Sequence, residues 1–351
     1  MTFGAKPFRA MLIVVSVSSL LIAACSSGGG SSRGDEPFKA TADAACSAAA
    51  NEKGTLSYVA STDAAVFGKE IEPFRAKHPD IDIRYTNLRS NDASQTLLTE
   101  SQVGREPSFD ALAGELAGFQ PLFDQDLVLN VDWAALGLHP DLVLTQNHGT
   151  VFRNYRLITG LGYNTKLVSE SELPNTWDEL INSKWAGKVV VDPRGQYLGQ
   201  MAPAVGEQQT IDWFRRFMDV TKPLIVQGAT ASSQKVISGE ALLTTSAADA
   251  NVRESQQSGA PLGIKYLNYV PTSDYYTLIM KDSPRPNKAA CFLSWFGGPE
   301  GRAQKEKYEF QKNEDKPADV PAGSTLVLTD TPESRQIAAQ TSQALAKIMA
   351  G

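Results

Sequence analysis

The sequence predicts an α/β fold, a mostly parallel sheet flanked by helices. Three observations predict it. Between Thr55 and Glu115 a β-rich run, a polar loop and an apolar-periodic helix recur three times. Between Gly160 and Gly195 (GLGYNTKLVSESELPNTWDELINSKWAGKVVVDPRG) two apolar strand runs enclose a short helical segment. Late in the chain another strand run, Tyr275–Met280 (YYTLIM), leads into an amphipathic helix. Strands that alternate with helices are joined by crossovers, and crossovers make neighbouring strands parallel. The 351 residues allow one large or two medium domains.

Met1–Cys25 has the layout of an export signal. Lys6 and Arg9 form a positive start, Met11–Ala24 is apolar, and small residues precede Cys25. The apolar run is too short for a spanning helix. Leu21-Ile22-Ala23-Ala24-Cys25 resembles the bacterial lipobox, in which the thiol is diacylated and the chain is cut before it. The alternative is an ordinary cleaved signal with an incidental cysteine. Ser26–Gly34 (SSGGGSSRG) has the composition of a flexible tether. Residues 1–24 are therefore set apart as a signal peptide, and residues 25–53 as lipidated Cys25 and tether. The whole chain carries 33 basic against 39 acidic residues. Loss of Lys6 and Arg9 makes it more acidic, which argues against nucleic acid as a partner.

Thr55–Ala60 reads as the first strand, followed by the helix caps Ser61, Thr62 and Asp63. Val66, Phe67, Ile71 and Phe74 then fall at helical spacing, and Pro73 either kinks that helix or begins a new turn. Ile81–Tyr85 alternates as a second strand, Ser90-Asn91-Asp92 is a second strand-to-helix loop, and Phe109–Ala113 is a third strand with Gly114-Glu115 at its exit. In the central stretch, Leu157–Tyr163 and Lys188–Val191 are strands. The second is continuous valine, as in a strand covered on both faces. Thr176 caps a helix on Trp177, Leu180 and Ile181, and Asp192-Pro193 reads as cap and first residue of another. A helix follows through Ile211, Trp213, Phe214 and Phe217, then a buried strand Ala241–Thr245 and a loop-to-helix exit at Ser246–Asn251. Asn287–Phe296 is a helix closed by Gly297-Gly298, and Pro332–Ala350 is a last helix with Ile337, Thr341, Leu345 and Ile348 in one stripe.

GYNTKLV followed by LPNTWDELINSKWAGKVVVDPRG resembles the central segment of bacterial extracellular solute-binding proteins, the receptors of ABC importers. The resemblance is to the two-lobed group that includes ferric-iron, polyamine and maltose receptors. FRAKHPDIDIRY and GPEGRAQKEKY resemble weaker phrases of the same family, so the likeness extends over the mature chain. It implies a periplasmic-binding-protein-like type II fold, with each lobe a sheet flanked by helices and a hinge between. The first lobe would be 54–152 plus 270–312, the second 153–269 plus 313–351. The implied activity is capture of a small-molecule or ion solute in the cleft and delivery to the ABC permease subunits, from a site outside the cytoplasm on the cell membrane. It requires no catalysis and no cofactor. The competing readings are an exported hydrolase-type enzyme and a sensor or assembly lipoprotein on the same fold.

No nucleophile elbow, Walker loop or dinucleotide fingerprint is present. Ser232–Lys235 (SSQK) matches a penicillin-binding motif, but its partner motifs are missing. His78, His139 and His148 lack metal-ligand spacing, so no metal site is expected. Cys46 and Cys291 of an exported chain are either joined as a disulfide or held as buried thiols. Open α/β sheets bind ligands at the carboxyl ends of strands. That rule selects Ser61, Thr62, Ser90 and Glu115 from the first lobe, Arg194, Tyr197 and Asp249 from the second, and Tyr275 and Tyr276 from the returning strand. Capping explains Ser61 and Thr62 equally well, and strand alternation puts one of the two tyrosine rings in the core. Arg194 would suit a carboxylate or phosphate, with backbone N–H groups of its turn assisting, or else forms a surface salt bridge. Asp249 and Glu115 would suit a polyamine or other cation. Ferric receptors of the group carry adjacent tyrosines near the position that here reads TTSAADAN, which has none.

Overall fold

The computed structural model describes Met1, residues 38–311 and residues 319–351. The expected signal peptide, Cys25 and the Ser/Gly tether lie outside the described residues. The first helix, α1 (Ala42–Ala49), occupies part of the segment expected to be tether. Small Ala45 and Ala49 let one face of it pack closely into the core. Then come β1 (Leu56–Ala60), α2 (Ala64–Glu70), α3 (Glu72–Lys77), β2 (Ile83–Asn87), α4 (Ser90–Gln102), β3 (Ala111–Glu115) and α5 (Leu116–Asp124). The β1 strand lies between β2 and β3 and is parallel to both. Asp63, rather than Ser61 or Thr62, caps α2, its carboxylate accepting from the N–H groups of Ala65 and Val66. Pro73 sits in the first turn of α3, where its missing N–H has no intrahelical partner to lose, so the chain starts a new helix there.

The middle of the chain forms β4 (Val143–Gln146), β5 (Gly149–Asn164), β6 (Val189–Val191), α6 (Gln196–Gly199), α7 (Ala202–Val205) and α8 (Glu207–Thr221). It continues as β7 (Leu224–Ile225), α9 (Ala229–Ile237), β8 (Leu243–Ala248), α10 (Asp249–Gln257), β9 (Leu262–Lys265) and β10 (Tyr269–Ile279). The end of the chain supplies α11 (Pro286–Gly297), α12 (Pro299–Glu309), β11 (Thr325–Val327) and α13 (Pro332–Ala350). The strand order is β2-β1-β3-β10-β5-β8-β6-β7. The expected strand Leu157–Tyr163 is part of one 16-residue strand, β5, which begins at Gly149. Its first part pairs with β4 and β10, and its last part with β8 and β9, so backbone partners run along its whole length.

Each half of the sheet is covered on both faces. Leu56, Tyr58 and Ala60 of β1 enter an aromatic core with Phe67, Phe74, Phe292 and Phe296, while Val59 points into a second core with Leu97, Phe119 and Leu278. In β6, Val189 and Val191 meet Trp185, Phe214 and Leu345, and Val190 meets Val236 and Leu262 on the other side. The period of two in side-chain direction makes this two-sided burial possible. Helix α13 packs on α6, α7 and α8, with Thr341 and Leu345 fully buried.

Two local expectations are corrected. The segment after Thr176 is a single 3-10 turn, Asp178–Leu180, because Trp177 turns its indole N–H to the Tyr269 carbonyl at 2.8 Å and the chain does not continue the helix. Helix α6 begins at Gln196, not at Pro193. The Asp192 side chain accepts from the Arg194 N–H and the Asp192 carbonyl from Gly195, which closes a tight turn. Gly195 (φ +67°) ends that turn in the left-handed region, and a Cβ there would come within 2.7 Å of the Ser342 carbonyl.

Candidate functional site

A cleft of about 410 Å³ opens where the two halves of the sheet meet. One wall comes from the exit of β3, the start of α5 and the middle of β10. The other comes from the Arg194 turn, α6 and the start of α13. At its base, Asp274 of β10 lies opposite Arg156 of β5 in the strand register. Arg156 donates Nε and Nη2 to the two Asp274 oxygens at 2.6 and 2.7 Å, and Arg153 stands 3.8 Å away. The pair is nearly dry and bidentate, and it fixes the relative register of the two long strands.

Five expected residues meet in this cleft: Glu115, Arg194, Tyr197, Tyr275 and Tyr276. The Tyr275 hydroxyl donates to Glu115 at 3.0 Å, and its ring stacks on Tyr155 at 4.5 Å. Burial, with the Glu115 charge added, pushes the Tyr275 phenol well up, so it stays a hydrogen-bonding hydroxyl. Tyr276 resolves the question of alternation. Its ring belongs to the core with Leu278, but the pairing with β5 shifts register between Tyr275 and Tyr276, and its edge still reaches the cleft. The Tyr276 hydroxyl donates to Asp274 at 3.4 Å, and burial raises its phenol as well. Burial likewise raises that of Tyr197.

Arg194 lines the cleft, but its guanidinium is engaged. Nε and Nη2 donate to Asp192 at 2.9 and 2.6 Å. Burial acts to raise the Asp192 carboxyl. The hydrogen bonds from Arg194 and the Gly228 N–H outweigh it and hold that carboxyl below the usual range. The backbone N–H groups expected to receive an anion are also taken, by Asp192 itself.

The remaining expected residues lie elsewhere. Ser61 and Thr62 line a separate small pocket beside Tyr155 and Tyr275, with Ser61 exposed at the surface, and Thr62 Oγ1 donates to Glu309 at 2.9 Å. Ser90 packs against the neighbouring wall: a Cβ on Gly114 or Gly118 would lie 2.4 Å or 2.3 Å from its side-chain atoms. Asp249 is almost fully buried, and its carboxylate pairs with Arg253 one turn along α10. It does not line the cleft. The β8 strand ends so that this residue faces its own helix rather than the opening. Cys46 and Cys291 are joined by a disulfide between α1 and α11. His78 Nδ1 lies 3.9 Å from the Cys291 sulfur, and the three side chains form the one potential metal-ligand cluster among the described residues. With both thiols in the disulfide, the thiolates such a site needs are absent.

Several cleft residues were missed from sequence. Arg335, near the start of α13, projects into the cleft with Asp330 and Ser342 from the same C-terminal segment. Its Nη2 donates to Gln120 Oε1 of α5 at 3.2 Å, so the side chain spans from one wall to the other. Gln200 Nε2 donates to Ser273 Oγ at 2.7 Å and joins α6 to β10. The available signal was electrostatic: an arginine near a helix N-terminus opposes the helix dipole and needs another reason to be there.

A family model described as bacterial extracellular solute-binding protein matches residues 69–313, well over half of the chain. The chain belongs to that family. Among solved structures, it is similar to iron-bound HitA from Pseudomonas aeruginosa, at 17% identity and TM-score 0.63 over 84% of this chain and 99% of that one. It is similar to AfuA from Actinobacillus pleuropneumoniae with fructose-6-phosphate bound, at 17% identity and TM-score 0.61, over 84% and 97%. It is also similar to the substrate-binding protein of an ABC transporter from Agrobacterium tumefaciens, at 14% and 0.65, over 83% and 94%. At these identities the likeness establishes the periplasmic-binding-protein-like type II fold. No curated protein matches the sequence. The members and neighbours are binding proteins, and among the described residues no helix is long and apolar enough to cross a membrane.

Proposed function

We propose that the protein is the extracytoplasmic, lipid-anchored substrate-binding receptor of an ABC importer. It captures a small solute in the cleft and hands it to the permease subunits. The observation that carries this reading is the cleft itself, which lies between the two sheet halves and draws polar side chains from both. The two halves act as lobes, 54–152 plus 270–312 and 153–269 plus 313–351, and β5 and β10 are the segments that join them. Closure about those strands buries the solute and presents both lobes to the permease. Acylated Cys25 holds the receptor at the membrane, and the residues after it give reach.

A thermal-shift screen against metals, amines, sugars and phosphorylated compounds identifies the solute class, because a ligand that binds only the folded state raises the melting temperature. Small-angle scattering with the hit should show a smaller radius of gyration. A melting temperature that no solute moves, or a scattering curve unchanged at saturation, overturns the receptor reading.

A further inference from the structure

Resting on the receptor reading, we infer that the solute carries an oxyanion, a phosphate ester or a carboxylate, and that Arg335 is the residue that selects it. Two basic side chains line the cleft, Arg194 and Arg335. Arg194 is neutralised by a bidentate contact with Asp192. Arg335 donates Nη1 to the Asp330 backbone carbonyl at 2.9 Å and Nη2 to the Gln120 side-chain amide at 3.2 Å, both neutral acceptors.

Several buried cations among the described residues meet a carboxylate instead, while buried Lys288 donates Nζ to the Gly54 carbonyl at 2.6 Å. Arg156 meets Asp274, Arg253 meets Asp249, Arg285 meets Asp110, and Lys305 meets Glu309. Arg335 is half-buried, and desolvation pulls its guanidinium below the ordinary value. A guanidinium removed from water without an ionic partner is a charge-assisted donor awaiting an acceptor.

Among the described residues no carboxylate pairs directly with it. Asp274 is paired with Arg156, and the Glu115 carboxylate accepts from the Tyr275 hydroxyl on its own wall. Asp330 acts on Arg335 through space, and its carbonyl rather than its carboxylate takes the hydrogen bond. An entering oxyanion can replace the Gln120 amide at Nη2 and turn a neutral contact into an ionic one. That exchange also alters the contact between α13 and α5, so the same residue links solute charge to the apposition of the two walls.

The test uses isothermal titration of the purified protein with inorganic phosphate, glucose 6-phosphate and citrate, and with glucose and spermidine as the uncharged and cationic counterparts. The expected result is binding of at least one of the three anions, with neither glucose nor spermidine competing. Arg335→Gln should bind that anion ten- to a hundredfold more weakly, with Arg335→Lys intermediate because it keeps the charge but not the fork. Melting temperatures of the two variants without ligand should stay close to wild type and to each other. Anion binding unchanged in Arg335→Gln overturns the assignment of Arg335. Preference for spermidine or glucose over every anion overturns the oxyanion while leaving the receptor reading intact. Binding of none of the five probes, together with a flat thermal-shift screen, overturns both.

Discussion

Glu70 is fully buried beside Lys305 and Glu309, and its behaviour sets a pH dependence for the whole fold. Lys305 Nζ is 2.9 Å from Glu309 but 3.7 Å from Glu70. Burial therefore dominates at Glu70 and raises its carboxyl to about 8, against an ordinary 4.5. Burial acts to raise the Glu309 carboxyl, but the Lys305 charge, together with hydrogen bonds from Glu70, Lys305 and Thr62, outweighs it and holds the group below its ordinary value. Tyr58 and Tyr85 of the neighbouring strands face the same cluster as phenols that burial keeps protonated. Between about pH 4.5 and about 8 the folded protein keeps a proton on Glu70 that the unfolded chain releases. Stability from Glu70 is thus fully present below the unfolded value and is lost as pH rises through the folded one. The Glu309 contribution has the opposite sense and is lost as pH falls. Melting curves should show stability falling from about pH 5 to about pH 8, by on the order of a few kcal/mol at most. Glu70→Gln should flatten that slope, and an unchanged slope in the variant would remove Glu70 as its origin.

Helix α1 belongs to the first half of the fold through more than its disulfide. The Lys39 N–H donates to Asn287 at 2.8 Å, and the Glu52 carboxylate accepts from the N–H groups of Asn287 and Lys288 at the start of α11. The Cys46–Cys291 bond closes a loop of 245 residues and so restricts the unfolded chain strongly. The double variant Cys46→Ser, Cys291→Ser should fold, lose about 2–5 kcal/mol of stability, and exchange amide hydrogens faster in residues 42–49. Protection of α1 equal to wild type would show that packing and the Glu52 contacts hold it unaided. The cleft should be unaffected, since neither α1 nor α11 lines it.

At the scale of the whole molecule, β5 and β10 are the only strands that carry hydrogen bonds to both halves among the described residues. The Arg156–Asp274 pair sits where they run side by side and fixes their register there. Outside the described residues, the proposal of an anchor stands on Cys25. Cys25→Ala should move the protein from the membrane fraction to the soluble one after cell fractionation. A variant that still sediments with membranes would exclude acylation of Cys25 as the attachment.

The sequence by itself determined the elements and their sides. Continuous Val189–Val191 announced a strand covered on two faces, and the Pro332–Ala350 stripe announced α13; of the nine residues the strand-exit rule selected, Glu115, Arg194, Tyr197, Tyr275 and Tyr276 line the cleft, and Ser61, Thr62, Ser90 and Asp249 do not. These follow from period, composition and chain direction, which are local properties. What only the tertiary structure decided is the partner of each side chain. Asp249 read from sequence as an available charge and Arg194 as either a ligand contact or a salt bridge, and Arg253 and Asp192, close to them in sequence, take them up once α10 and the turn form. Ser90 is a packing contact because α4 and α5 approach closely enough to require Gly114 and Gly118. Arg335 reaches the cleft because the last helix folds back across elements formed more than a hundred residues earlier. Whether a charge is free or neutralised depends on distances of a few ångströms between segments remote in sequence, and no local pattern encodes those distances.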